Sequence, residues 1–258
     1  MVKRFTTEPL YQLPNFFTAM DDKNTLVLLH GHGVDASIWG GIYAGLVSGG
    51  PVLQPDFSRL STYSTIDEYA EELYKRLRAE RIENVVLVGH SMGGYVALAF
   101  AEQHPTMIRG LGLFHSTAYA DDELKKEQRT KAIGALTDEG TPKFIKELMP
   151  KVVAPDYAEG QVQTLIDQFS NLPTDALIAG VRAIAGRPDR THVLRDASFP
   201  VILILGKKDQ VIPYERTSRL ADLNQRITVV TLLNAGHLGM IEQPDEALNA
   251  LKSFVASC

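Results

Sequence analysis

The sequence predicts an α/β fold, a doubly wound and mostly parallel sheet that carries an inserted helical cap. Three observations predict it. Short apolar runs recur along the chain, and strands buried on both faces of a parallel sheet read as such continuous runs rather than as alternating ones. Segments of helical spacing separate them, and strand, helix, strand, helix implies parallel strands joined by right-handed crossovers. The rhythm stops between residues 117 and 198, where no strand-like run occurs.

The first run is Thr25 to His30, ending at Gly31, and the second is Pro51 to Pro55. Between the second and third, Ile66, Tyr69, Ala70, Leu73 and Leu77 recur at helical spacing, and Thr65 with Glu68 supplies a capping-box start. The third run, Val85 to Gly89, leads into an apolar helix over Tyr95 to Gln103 that His104-Pro105 stops, because proline cannot continue a helix. Ile108 to Phe114, Val201 to Gly206 and Ile227 to Leu233 complete six strands. Four helical stretches fill the gap, near Asp122 to Leu136, Pro142 to Val152, Gly160 to Phe169 and Thr174 to Ala185. Each has an apolar side, so the block is expected to pack onto the rest as a lid; a separate helical domain is the alternative. The expected division is a core of residues 1–116 and 199–258 with a cap of residues 117–198.

Composition narrows the function. With 258 residues, 45% hydrophobic and 22% charged, the chain has the balance of a globular protein and needs no disulfide framework. Lys+Arg 26 against Asp+Glu 31 leaves a net charge of −5, which argues against nucleic acid as a partner. The sole cysteine, Cys258, ends the sequence and reads as incidental. No apolar run approaches the roughly 18 residues of a membrane span, and Met1 to Pro9 lead into no apolar signal region. A cytoplasmic protein acting on a small molecule is the default expectation.

The chemistry concentrates at Gly89-His90-Ser91-Met92-Gly93-Gly94, a Gly-x-Ser-x-Gly between a buried strand and a helix. A serine that acts as a nucleophile must project from a tight strand-to-helix turn, and the close backbone there leaves no room for side chains two residues to either side. A phosphate or dinucleotide turn would need glycine patterns that do not occur here. Serine is a weak nucleophile at neutral pH, so an imidazole must take its proton and an acid must orient the imidazole. Of the seven histidines, His237 in Gly236-His237-Leu238-Gly239 follows the last strand and is the expected base. Asp209, directly after the fifth strand, is the expected acid. The end of the fourth strand, Phe114-His115-Ser116-Thr117, offers no carboxylate, Asp121 and Asp122 are expected to cap a helix, and Asp56 is expected to shape a turn. Two N–H donors should face the developing oxyanion: Met92 in the Ser91 turn and His32 in the loop His30-Gly31-His32-Gly33. The His32 side chain is expected to turn away from the substrate. Trp39, Phe144, Leu148 and Ile178 are candidates to line the pocket, although core packing would give the same pattern.

Together these motifs, in the order Ser, acid, His, resemble the α/β-hydrolase superfamily, in particular its cap-bearing serine hydrolases such as carboxylesterases, enol-lactonases and haloperoxidase-like enzymes. The resemblance spans nearly the whole chain. It implies Ser91 as nucleophile, His237 as general base, Asp209 as its orienter, His32 and Met92 as oxyanion donors, and no metal or organic cofactor. The expected reaction is cleavage of a small ester or lactone through an acyl-serine. Carbon–carbon bond hydrolysis, perhydrolysis and slow-turnover ligand sensing on the same triad are the alternatives. Pro55-Asp56-Phe57-Ser58-Arg59 departs from the Asp-x-Arg-Gly often found there in relatives, and the first two dozen residues look short for the hairpin that usually opens the fold.

Overall fold

The structure, a computed structural model, describes residues 24–258. The expectation for a shortened opening hairpin lies outside the described residues, as does the first part of the expected core.

Among the described residues six parallel strands form one sheet: β1 (Thr25–Leu29), β2 (Val52–Leu53), β3 (Val85–His90), β4 (Ile108–Phe114), β5 (Val201–Gly206) and β6 (Ile227–Leu232), in the order β2-β1-β3-β4-β5-β6. All six apolar runs therefore became strands, and β1, β3 and β5 are buried along their whole length. Alternate residues serve opposite faces. Val27, Leu29, Val85, Leu87, Leu111 and Leu203 pack with α2 (Ile66–Ala79) and α3 (Met92–Gln103), whereas Leu26, Leu28, Val86, Val88 and Ile202 pack with α1 (Gly40–Val47) and α10 (Pro244–Val255). The sheet order changes direction at β1 and β3, and ligands bind beyond the carboxyl ends of strands at such a switch point.

Helix α2 starts as the sequence implies: the Thr65 hydroxyl accepts the Glu68 N–H at 3.3 Å and the Glu68 carboxylate accepts the Thr65 N–H at 2.9 Å. The block between β4 and β5 contains α4 (Glu123–Val152), α5 (Glu159–Phe169), α6 (Thr174–Ala185) and the short α7 (Thr191–Arg195). The first two expected helices are one segment broken at Gly140, whose φ of 76° interrupts the helix just ahead of Pro142. Leu136, Ile145, Met149, Leu165 and Phe169 from α4 and α5 join the same apolar cluster as α1 and α10, so these helices share the core of the sheet instead of forming one of their own. Two short helices, α8 (Tyr214–Thr217) and α9 (Gly239–Glu242), follow β5 and β6.

Of the two aspartates expected to cap a helix, Asp122 does so, accepting the Lys125 N–H at 2.9 Å. Asp121 does not: its carboxylate is fully buried between Arg187 at 2.8 Å and Arg129 at 3.1 Å. Asp56 shapes a turn by accepting the Ser58 N–H. Cys258 tucks its thiol over Gly110, and burial pushes that thiol up to about 11. No described helix is long and apolar enough to cross a membrane.

Candidate active site

Ser91 sits between β3 and α3 with φ 49° and ψ −115°, a strained conformation for a residue with a side chain. Its glycines are required by contact. A Cβ on Gly89 would lie 2.1 Å from the Gly93 carbonyl oxygen, and one on Gly93 would lie 2.6 Å from that of Leu29. The turn is fastened on both sides, since the Ser91 N–H donates to the Phe114 carbonyl at 3.0 Å and the Ser116 hydroxyl donates to the Ser91 carbonyl at 2.7 Å.

Beyond the ends of β5 and β6, Asp209 and His237 meet. His237 Nδ1 donates to Asp209 Oδ2 at 2.8 Å, and both side chains are almost fully buried, 4% and 1% exposed. Asp209 Oδ1 accepts the N–H groups of Val211 and Ile212. Burial raises the Asp209 carboxyl, but the His237 imidazole, His115 and the Ile212 N–H outweigh it and hold the group below its ordinary range. An ionised Asp209 fixes the proton on Nδ1, which leaves the lone pair on His237 Nε2.

The loop bearing His237 is tightly held. Its N–H donates to the Val152 carbonyl at 3.0 Å, and its carbonyl accepts His90 Nε2–H at 2.8 Å. His90 precedes Ser91 in the elbow, and its ring centroid lies 4.9 Å from that of His237. The structure thus brings His237 against the elbow, while Ser91 Oγ itself bonds none of the described residues. Glu242, which sequence reasoning missed, takes three N–H groups: Ala154 at 2.7 Å, Gly236 at 2.9 Å and Leu238 at 2.9 Å. It anchors the residues on either side of His237 and ties them to the end of α4. Nothing in the sequence pattern marks it, because all three of its partners are backbone N–H groups, which carry no residue signature. His115 was also missed as a participant. Fully buried, it accepts the Gly206 N–H at Nδ1, 3.6 Å from Asp209 Oδ2, and burial pulls it down to about 3, so that it stays neutral beside the acid.

Among the described residues, neither the His32 N–H nor the Met92 N–H finds an acceptor; Met92 opens α3, where the helix leaves N–H groups free. The His32 imidazole runs to the helical block, its Nε2–H donating to the Leu177 carbonyl at 2.8 Å. Burial pulls it down to about 4, against the Leu177 bond, and the charges of Arg129 and His30 act in the same direction as burial.

A small cleft opens beside these donors, lined by His32, Gly33, Phe57, Ser58 and Met92 from the core and by Ala176, Leu177 and Gly180 from α6. None of the four candidate pocket residues lines it. Trp39 is 0% exposed, with its ring edge-on to Phe114 at 5.4 Å, and is a core residue. Ile178 belongs to the other side of α6, packed on the core cluster. Phe144 meets His32 edge-on at 6.0 Å, and Leu148 lies over Gly33, so both cover the outside of the loop from His30 to Gly33. Helical period alone could not separate these faces. No group of three or more metal-ligating side chains occurs among the described residues.

A family model described as the alpha/beta hydrolase family matches residues 26–251. The chain belongs to that family. Lipase 1 of Psychrobacter immobilis is 25% identical over 241 residues, covering 89% of this chain and 76% of the lipase. Among solved structures, a thermophilic esterase from Thermogutta terrifontis superposes with a TM-score of 0.84 at 25% identity, over 90% of this chain and 89% of the esterase. The enol-lactonase from Burkholderia xenovorans LB400 gives 0.80 at 20% identity, over 91% and 92% of the two chains, and shares the fold. Lipase and esterase are the activities those relatives' names carry; the family itself is that of the alpha/beta hydrolases.

Proposed function

We propose that this alpha/beta hydrolase cleaves a small ester or lactone through an acyl-serine intermediate on Ser91, with residues 117–198 as a cap over the site. The observation that carries the reading is the His237 Nδ1 to Asp209 Oδ2 bond of 2.8 Å, which leaves a basic Nε2 beside the Ser91 elbow. Ser91 Oγ attacks the carbonyl carbon while His237 Nε2 takes its proton. The carbonyl oxygen becomes an oxyanion held by the His32 and Met92 N–H groups, each donor contributing roughly 10²- to 10³-fold in rate. Collapse breaks the bond to the leaving oxygen, which receives the proton from His237. Water then attacks the acyl-serine, gives a proton to the same nitrogen, and releases the acid and the free serine. Asp209 stays ionised throughout and stabilises the imidazolium.

The residues of the two loops are held by the backbone, so little reorganisation is needed when charge develops. Turnover of p-nitrophenyl acetate tests the reading. Ser91→Ala is expected to remove about 10⁶-fold of kcat, with the thermal transition unchanged. Equal turnover in that variant would refute Ser91 as the nucleophile.

A further inference from the structure

The two proposed oxyanion donors are held in different ways. Met92 opens α3, so its N–H is aimed by the helix and by the fastened elbow beside it. His32 lies in the loop after β1, where neither the N–H nor the carbonyl of His32 or Gly33 bonds any described residue. The one hydrogen bond that this pair makes among the described residues runs to the cap: the His32 imidazole donates Nε2–H to the Leu177 carbonyl of α6 at 2.8 Å. A carbonyl has two lone pairs, so a helix can accept such a bond without giving up its own. Burial pulls the imidazole down to about 4, so the ring carries a single proton at neutral pH, and the Leu177 carbonyl fixes that proton on Nε2.

Helix α6 has room for the ring. Leu177 and Gly180 stand three residues apart on one face. A Cβ on Gly180 would lie 2.7 Å from His32 Cδ2 and 3.6 Å from Met92 Sδ, so the helix meets both donor residues at its only position without a side chain. Glycine is disfavoured inside a helix, and Gly180 has no positive φ that would call for it. The closeness of the imidazole supplies the reason. The support is firm as well, since Ala183 and Ile184 of α6 join the apolar cluster of Met92 and Tyr95, and Leu177 and Val181 join that of β1 and α1.

We propose that the cap completes the oxyanion hole: the His32 imidazole, seated on the Leu177 carbonyl and in the space left by Gly180, is a positioning group that aims the His32 N–H at the developing oxyanion. The inference rests on the hydrolytic reading and gives the cap a task in the chemical step besides covering the site. A helix that only enclosed substrate would act on ground-state binding and so on KM, whereas one that aims a donor acts on the transition state and so on kcat. Such groups work only when held within about 0.5 Å of the productive geometry.

Kinetics with p-nitrophenyl acetate on the full-length protein test this in three variants. His32→Leu keeps bulk without a donor, His32→Gln places an amide N–H near the position of Nε2, and Gly180→Ala crowds the ring while favouring the helix. His32→Leu is expected to lose about 10²-fold of kcat, the cost of a misplacement near 1 Å, with KM little changed. His32→Gln should restore most of that loss. Gly180→Ala should show part of it, with a thermal transition no lower than wild type. Trifluoroacetone gives a second measurement: Ser91 Oγ bonds its carbonyl carbon, the proton passes to His237 Nε2, and the ketone oxygen is left as an oxyanion in the hole. Its inhibition constant should rise in each variant by the factor that kcat falls. Unchanged kcat in both His32→Leu and Gly180→Ala, beside an inactive Ser91→Ala, refutes the positioning role and leaves the hydrolytic reading standing. A lower kcat with undiminished trifluoroacetone affinity also refutes it, because the loss then lies outside the oxyanion, and so does a raised KM at constant kcat. Should His32→Leu fail to fold, Gly180→Ala decides alone. Turnover that survives in Ser91→Ala overturns the hydrolytic reading and this inference with it.

Discussion

Two aspartates are buried as deeply as any charged group in this alpha/beta hydrolase, and they differ in what they face. Asp209 meets an imidazole and two backbone N–H groups. Asp121 meets two guanidinium groups. Both carboxyls are held below their ordinary range against the cost of burial. The partner of Asp209 is an imidazole, a group that can pass a proton between partners, so that pair suits a reaction that moves charge. The partners of Asp121 are permanently charged, so that cluster can only hold a structure or attract an anion. The same residue type in the same burial therefore has a proposed chemical role in one place and an electrostatic one in the other.

The sharpest way to break this contrast is to remove the charge from each while keeping the shape. Asp209→Asn should lower kcat by about 10⁴-fold through loss of the correct imidazole tautomer. Asp121→Asn should instead cost roughly 3–5 kcal/mol of stability, because the buried Arg187 guanidinium loses its carboxylate. Urea unfolding measures the second effect, and steady-state kinetics the first. A variant at 121 that unfolds normally would show that the cluster is not strained by its charge.

A smaller effect is expected at Glu242, which holds the residues flanking His237 without touching substrate. Glu242→Ala should lower kcat by up to about 10²-fold, the cost of a misplacement near 1 Å. Hydrogen exchange should report joint loss of protection at Ala154, Gly236 and Leu238. Protection lost at only one of these segments would mean that Glu242 does not couple them.

Acid pH gives the smallest shift. Because the folded carboxyls of Asp209 and Asp121 lie below the ordinary 3.8, their stabilising contribution is full above that value and is lost as pH falls through their folded values. Urea midpoints should decline below about pH 4, and less steeply in Asp121→Asn.

The six strands were legible because strands buried on both faces leave unbroken apolar runs, and α2 because its capping box is local. The Gly89 to Gly94 turn, Asp209 and His237 were legible because each follows a strand end. The same reasoning failed where a residue's partners are distant. Asp121 and Asp122 look alike ahead of a helix, yet only one caps it, and the difference depends on Arg187, 66 positions away. Trp39 and Ile178 carry apolar surface that serves core and pocket equally well, so sequence alone could not assign them.

The proposed mechanism stands on Ser91 being activated by His237. Incubation with a fluorophosphonate followed by peptide mass spectrometry tests this directly. One adduct on the peptide that carries Ser91, formed at a rate that collapses in His237→Ala, is the predicted result. Labelling at another serine, or equal labelling of Ser91 without the imidazole, would contradict the account.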